Sequence, residues 1–284
     1  MNIGFIGAGK VGFSLGKYLA SNQHFLCGYY SQNPNSSLKA AEFTQSKQFS
    51  NLSDLVKESD IIFLTVPDDR IKQVSIDLIN SCKNIDFRDK IFCHCSGVYD
   101  HTILSELRKL NAFTFSIHPF LAISDKYTSY QELSNAFFTI EGSKEKIQVL
   151  IDLFKSCGNH IQTIKAEDKI KYHTAAVFAS NLLVGLVDMA SNLLLDCGFE
   201  ADESNYALAN ILRNNLENVL TMGSKEALTG PIERDDIETI KAHLHCLTGN
   251  ETYYQTYTAL SKQLLHIATI KHPDRDYSNL LSII

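Results

Sequence analysis

Positive charge is what this chain lacks most clearly. Its 284 residues carry 26 Lys and Arg against 32 Asp and Glu, a net charge of −6. That balance argues against nucleic acid and against an anionic membrane as partner. It leaves small anionic ligands open, because local groups hold them. A secretory leader is missing too: there is no basic leader and no cleavage site before the first strand, so a cytoplasmic protein is expected. The seven cysteines (27, 82, 93, 95, 157, 197, 246) are odd in number and scattered. This pattern does not make a disulfide framework, and reduced thiols are expected. Cys93-His94-Cys95 has no second closely spaced Cys/His pair to complete four ligands, so no metal site is expected. There is no internal repeat and no low-complexity segment. The longest apolar stretch, 174–195, contains Ser180, Asn181, Asp188, Ser191 and Asn192. That polar load is costly in a bilayer, and a buried helix of a soluble protein is expected instead.

What is present begins at once. Ile3, Phe5 and Ile6 form an apolar strand that runs into Gly7-Ala8-Gly9-Lys10-Val11-Gly12, and residues 13–20 continue as an amphipathic helix. Gly7 permits a tight turn, Gly9 lets backbone approach a pyrophosphate, and Gly12 lets helix and strand pack closely. The helix N-terminus adds N–H groups and partial positive charge. GxGxxG between a strand and a helix is a dinucleotide-binding signature.

The first half then alternates. Strands are expected over 2–6, 25–30, 61–66, 91–94, 114–117, 136–141 and 160–164. Helices are expected over 13–21, 52–58, 69–81, 102–110 and 144–157, with 33–37 a turn-rich loop. This order implies a mostly parallel sheet with right-handed crossovers. Beyond about 165 the strand signals vanish and helical periodicity covers 168–197, 202–222, 235–247 and 251–270. The expected fold is therefore α/β: a nucleotide-binding domain over 1–164, then an all-α domain over 165–284. The tail from His272 reads as loosely structured.

Ligands of open α/β sheets bind at the carboxyl ends of strands. Val66-Pro67-Asp68-Asp69, His94-Cys95-Ser96-Gly97 and Ser116-Ile117-His118-Pro119 occupy such ends. Val66, Pro67, Ser96 and Gly97 are accordingly cofactor-site candidates. The end of the second strand reads Tyr30-Ser31-Gln32-Asn33, with no acid to bind a ribose diol or repel a 2′-phosphate. Ser31, Gln32, Asn33 and Ser36 can donate to a phosphate, which favours NADPH; Lys39 is the nearest cation in sequence.

Carbonyl reduction needs a cofactor, a donor for the developing alkoxide and a substrate anchor. His118 at a strand end is a donor candidate whose ordinary pKa suits acid–base work; His94 is expected as an in-strand residue. His173, Ser180, Asn181, Asp188 and Asn192 form a polar stripe on an apolar helix, serving either a ligand or helix–helix hydrogen bonds. Ser96 joins His118, His173 and Asn181 as a catalytic candidate. Thr229 and Arg234, in the loop 228–236, are substrate-anchor candidates. Asp235 or Asp236 would cap the helix that follows.

Gly7–Gly12, Val66-Pro67-Asp68, His94-Cys95-Ser96-Gly97, Ser116–Phe120, Tyr172–Asn181 and Leu228-Thr229-Gly230-Pro231 occur in a recognisable order. They resemble the two-domain Rossmann-like proteins with a long-uncharacterised C-terminal helical domain, some of which are the alternative type of ketopantoate reductase. The resemblance implies NADPH-dependent reduction of a 2-oxo acid, 2-dehydropantoate to pantoate, and a homodimer formed through the C-terminal helices. The layout is also similar to pyrroline-carboxylate reductases, 3-hydroxyisobutyrate dehydrogenases and prephenate dehydrogenases. Hydroxy-acid dehydrogenases of this layout often place a Lys four residues before the Asn. Here that position is Val177, so proton donation falls to His118 or His173. The loop departs from the family pattern at Arg234-Asp235-Asp236, where Arg-Gly-Asp is usual. A prephenate-type dehydrogenase and a non-catalytic NADPH-binding regulator are the alternatives.

Overall fold

The computed structural model describes residues 1–284, which divide into compact units at 1–180 and 181–284. In the first unit β1 (Ile3–Ile6) leads into α1 (Lys10–Ser21), then β2 (Leu26–Tyr30), α2 (Pro34–Thr44) and β3 (Lys47–Gln48). There follow α3 (Leu52–Glu58), β4 (Ile61–Leu64), α4 (Ile71–Ser81), β5 (Ile91–His94) and α5 (Ser105–Arg108). β6 (Phe113–Pro119), β7 (Phe137–Gly142), α6 (Ile147–Ser156), β8 (His160–Thr163) and α7 (Lys169–Ala179) complete it. The strands form one sheet in the order β3-β2-β1-β4-β5-β6-β7-β8, parallel except where β6 meets β7.

Strand period explains the two layers. Ile61 and Phe63 point to one face, where Phe5, Phe13, Tyr29, Phe115 and Phe154 gather. Ile62 and Leu64 point to the other, against Leu55, Leu78, Phe92 and Leu104. Strands covered on both faces read as unbroken apolar runs rather than alternating ones. The strand order reverses at β1, between β2 and β4, and a crevice opens at such a switch point.

Three local expectations are corrected here. Residues 34–44 are helix, not only loop: the Asn33 side chain accepts from Asn35 N at 3.1 Å and Pro34 occupies the first turn. An Asn cap followed by Pro starts a helix. The long apolar helix is broken at Ser180, whose φ of −126° and ψ of −80° leave the helical region. The polar stripe is therefore split, with His173 before the break and Asn181 after it. α7 thus belongs with the sheet unit, beyond the expected boundary at 164.

The second unit contains α8 (Asn181–Asp196), α9 (Ala201–Ala227), α10 (Pro231–Arg234), α11 (Ile237–Cys246), α12 (Glu251–Lys271) and α13 (Ser278–Leu281). Its core joins Leu228, Ile232, Ile240, Leu244, Leu265 and Ala268. The tail is not loose: Tyr277 and Leu280 enter that core, and Tyr277 donates to Glu233 O at 2.8 Å. The 174–195 stretch is not buried within the chain either. α8 has no buried residue, and Leu182, Leu183 and Val184 are exposed. The run 166–196 is long and apolar enough, by length and composition, to cross a membrane. In α9, Leu216 and Leu220 stand four residues apart on one side of the helix and are exposed as well.

Candidate active site

The glycine loop is shaped by close approach. Gly7 has φ +100°, and a Cβ there would lie 2.6 Å from Thr65 O. A Cβ on Gly12 would lie 2.5 Å from Thr65 Oγ1, the hydroxyl that donates to Gly7 O at 2.9 Å. A Cβ on Gly9 meets only Thr65 O, at 3.9 Å, so that side of the loop is open. Gly9 also begins α1 without a side-chain cap, and the first turn holds no acid. Its N–H groups are left for an outside acceptor.

A crevice of about 590 Å³ starts there and is lined by Gly7, Ala8, Gly9, Ser31, Gln32 and Ser36. Val66 and Pro67 line it too. Asn33 is instead the cap of α2, and Lys10, Val11 and Gly12 form the first turn of α1. Two cations that no motif marks, Arg70 and Lys126, line the crevice, whereas Lys39 does not. No spacing rule brings Lys126 to Gly9; only the fold does.

Ser96, Gly97 and His118 meet a few residues away, against α7. Asp68 links the two places: it follows Pro67 and accepts from Ser96 Oγ at 2.7 Å. Ser96 Oγ also accepts from Val98 N at 3.1 Å and Tyr99 N at 3.0 Å. Its hydroxyl thus holds the loop in shape. His118 Nδ1 and Tyr172 Oη are 2.8 Å apart, and the His118 and His173 rings meet edge-on with centroids 6.2 Å apart. A Cβ on Gly97 would lie 2.4 Å from His173 Nδ1 and 3.0 Å from His118 Nε2. Two imidazole nitrogens converge where that side chain is missing. His94 is a core residue: its Nε2 meets Asp100 O at 3.0 Å.

Electrostatics revise the role of His118. Burial, then the charge of Lys169, then His173 and His94, push it down to about 3. At neutral pH it is an uncharged imidazole, not the titrating acid expected from its ordinary pKa. Lys169 and Tyr172 were missed in the sequence, although Lys169, Tyr172 and His173 stand at i, i+3 and i+4, one helix face. Cys95 is half-buried, and desolvation pushes its thiol up to about 12.

In the second unit Asn181 is exposed at the start of α8. Asp188 and Asn192 make the helix contacts that were the plainer alternative: Asn192 Nδ2 donates to Asp188 Oδ2 and to Tyr253 Oη, both at 3.2 Å. Thr229 lines a separate apolar cavity of about 440 Å³ with Pro231, Ile232 and Tyr257. Arg234 is exposed, and Asp236 caps α11 by accepting from Thr239 N at 3.2 Å.

Comparison with known families agrees with this layout. The Rossmann-like domain family matches residues 1–119, and the domain of unknown function DUF2520 matches 136–264. A Rossmann-like domain is thus followed by a DUF2520 domain. No curated protein matches the chain. Among solved structures, a protein of Thermotoga maritima is 22% identical to this chain, with 95% of this chain and 99% of that one covered and a TM-score of 0.76. An imine reductase of Myxococcus stipitatus in complex with NADP⁺ is 14% identical, covering 99% of each chain, with a TM-score of 0.65. Pyrroline carboxylate reductase of Plasmodium falciparum with NADP bound is 15% identical over 94% of this chain and 98% of that one, TM-score 0.59. At these identities the likeness is one of fold.

Proposed function

We propose that this protein is an NADPH-dependent reductase of a small 2-oxo acid, with 2-dehydropantoate as substrate and pantoate as product. The observation that carries the proposal is the Asp68–Ser96 hydrogen bond, which joins a dinucleotide-type crevice to a pair of converging imidazoles. The crevice suits the cofactor: the open side of Gly9 and the uncapped first turn of α1 would take the pyrophosphate. Ser31, Gln32 and Ser36 would take the 2′-phosphate, in a place without an acid. A reduced nicotinamide bound there supplies hydride. The residues of the chain do the rest. Ser96 and Asp68 hold the loop that presents Gly97. Tyr172 fixes the orientation of His118. His118 and His173 offer ring nitrogens to the oxygen on which negative charge develops. On the resemblance of their motifs alone, Asn181 is proposed as a catalytic residue and Thr229 and Arg234 as substrate-binding residues. The NADP-bound pyrroline carboxylate reductase and imine reductase of the same fold favour a second reading, reduction of a C=N bond.

A panel of 2-dehydropantoate, other 2-oxo acids and cyclic imino acids, followed by NADPH oxidation, tests both readings. Robust turnover is expected with 2-dehydropantoate and little with prephenate and NADP. Turnover of imines alone moves the assignment to the second reading. NADPH binding without turnover of anything in the panel favours a regulator. NADPH should bind at least tenfold more tightly than NADH, about 1.4 kcal/mol, and equal affinities in a titration would remove the missing-acid argument.

A further inference from the structure

Lys169 opens α7, yet it is 1% exposed and its Nζ has no hydrogen-bond partner. Four residues on, His173 Nδ1 is also buried without a partner. Between them on the same face, Tyr172 Oη meets His118 Nδ1. Lys169 Nζ lies 5.8 Å from the centre of the Tyr172 ring, Tyr172 joins it to His118, and His118 and His173 turn ring nitrogens to the space left by Gly97.

The amine is not half of an ion pair. The carboxylates near it are committed elsewhere. Glu141 accepts from His101 N at 2.7 Å and sits 2.5 Å from His101 Nδ1. Asp68 accepts from Ser96 Oγ, and Asp100 accepts from Thr102 N at 2.8 Å. A buried polar group that no protein atom satisfies calls for an explanation, and exchange of its proton is one.

We propose that Lys169 is the proton reservoir of the reduction centre, acting through His118 and His173 rather than on the substrate itself. The inference rests on the reductase reading. Reduction of a carbonyl takes one hydride and one proton. The nicotinamide accounts for the new C–H bond. The proton of the new O–H bond leaves the Lys169 ammonium by way of the imidazoles, and the resulting amine takes a proton from solvent. A cavity of about 550 Å³ bordered by Lys169, Asp68, Tyr99 and Asp100 lies beside the buried amine, and a swing of the Lys169 side chain into it would bring the amine to solvent.

The charge balance agrees. Burial lowers the amine to about 8, against the upward pull of Glu141, Cys95, Asp100 and Asp68. Both of its charge states are then reachable near neutral pH, as proton exchange requires. His118, at about 3, carries no spare proton there and can only relay.

The test is made first on the protein without cofactor or substrate, by NMR of the histidine ring signals. His118→Gln and His173→Gln spectra assign those signals. In the native chain the His118 and His173 signals should step near pH 8 as Lys169 discharges. Lys169→Met should abolish that step and let His118 take its proton at higher pH, because a neighbouring positive charge is gone. Lys169→Arg should abolish the step but leave His118 as hard to protonate as before. A native chain with no step, or Lys169→Met with the step retained, overturns the proposal. With a substrate in hand, Lys169→Met should lose at least ~10-fold in kcat with NADPH affinity unchanged; unchanged kcat also overturns it. The NMR arm needs no turnover, so a wrong substrate assignment and a wrong reservoir are told apart.

Discussion

Replacing Lys169 by Met should make the protein more stable at neutral pH, and the size of the effect follows from the amine's position. Folding lowers its pKa from 10.5 to about 8, chiefly by burial. Each unit is worth about 1.4 kcal/mol, so holding the charged amine in the fold costs about 3 kcal/mol. The sign fixes the pH window. Below about pH 8 the amine is charged in both folded and unfolded chains, and the whole cost is present. Between about 8 and 10.5 the unfolded chain binds a proton that the folded chain does not, so native stability rises with pH. Above 10.5 both states are neutral and the cost is gone. Met fills a similar length without charge and escapes the cost at every pH. Thermal or urea melts at pH 7 should therefore place Lys169→Met about 3 kcal/mol above the native chain. For a unit of 180 residues that is roughly 6–12 °C in Tm. The gap should close by about pH 10.5. A variant that is less stable at pH 7, or a gap that does not change with pH, would refute the reasoning: Lys169 would then be a packed stem with a solvated amine. Retaining a destabilising charge in a core is what a functional group does and a structural one does not.

Three further outcomes are expected. Gly97→Ala places a methyl 2.4 Å from His173 Nδ1; it should push the imidazoles apart and lower turnover by roughly 10²-fold, while NADPH titration shows nearly native affinity, and native turnover would separate the histidines from the chemistry. Asn181→Ala should lower kcat by roughly 10²-fold, about 2.7 kcal/mol, with NADPH binding intact; full turnover with a reduced Tm would make Asn181 a packing residue. We propose that the exposed apolar face of α9 is covered by a second copy of the chain, so Leu216→Asp with Leu220→Asp, at 54% and 74% exposed positions, should convert a dimer to a monomer in light scattering. A native chain that is monomeric, or that floats with liposomes, would reject that cover.

The sheet was legible because its strands are buried on both faces. IGFI, IIFL and the first three residues of IFCH are apolar without interruption, and GxGxxG between a strand and a helix has few other uses. The change to helical period near 165 was equally plain. Signals that depend on capping were weaker: Asn33-Pro34 serves a turn as well as a helix start, and only the 3.1 Å bond to Asn35 N decides for helix. The break at Ser180 has no glycine or proline to announce it, so one long amphipathic pattern concealed two helices.

The amino-acid sequence by itself determined the layers, the phosphate loop and the absence of an acid beside it, because these depend on period and on neighbours along the chain. Tertiary structure alone decided that Asp68 holds Ser96, that Arg70 and Lys126 reach the crevice, and that His118 loses its charge. Those facts depend on burial and on approach between residues far apart in sequence, such as His118 and Tyr172. Lys169 shows the division most clearly. Its letter and its helix were in the sequence, but a lysine is ordinarily solvated, and only the packing of α7 against the ends of the strands withholds the water that would have made it ordinary.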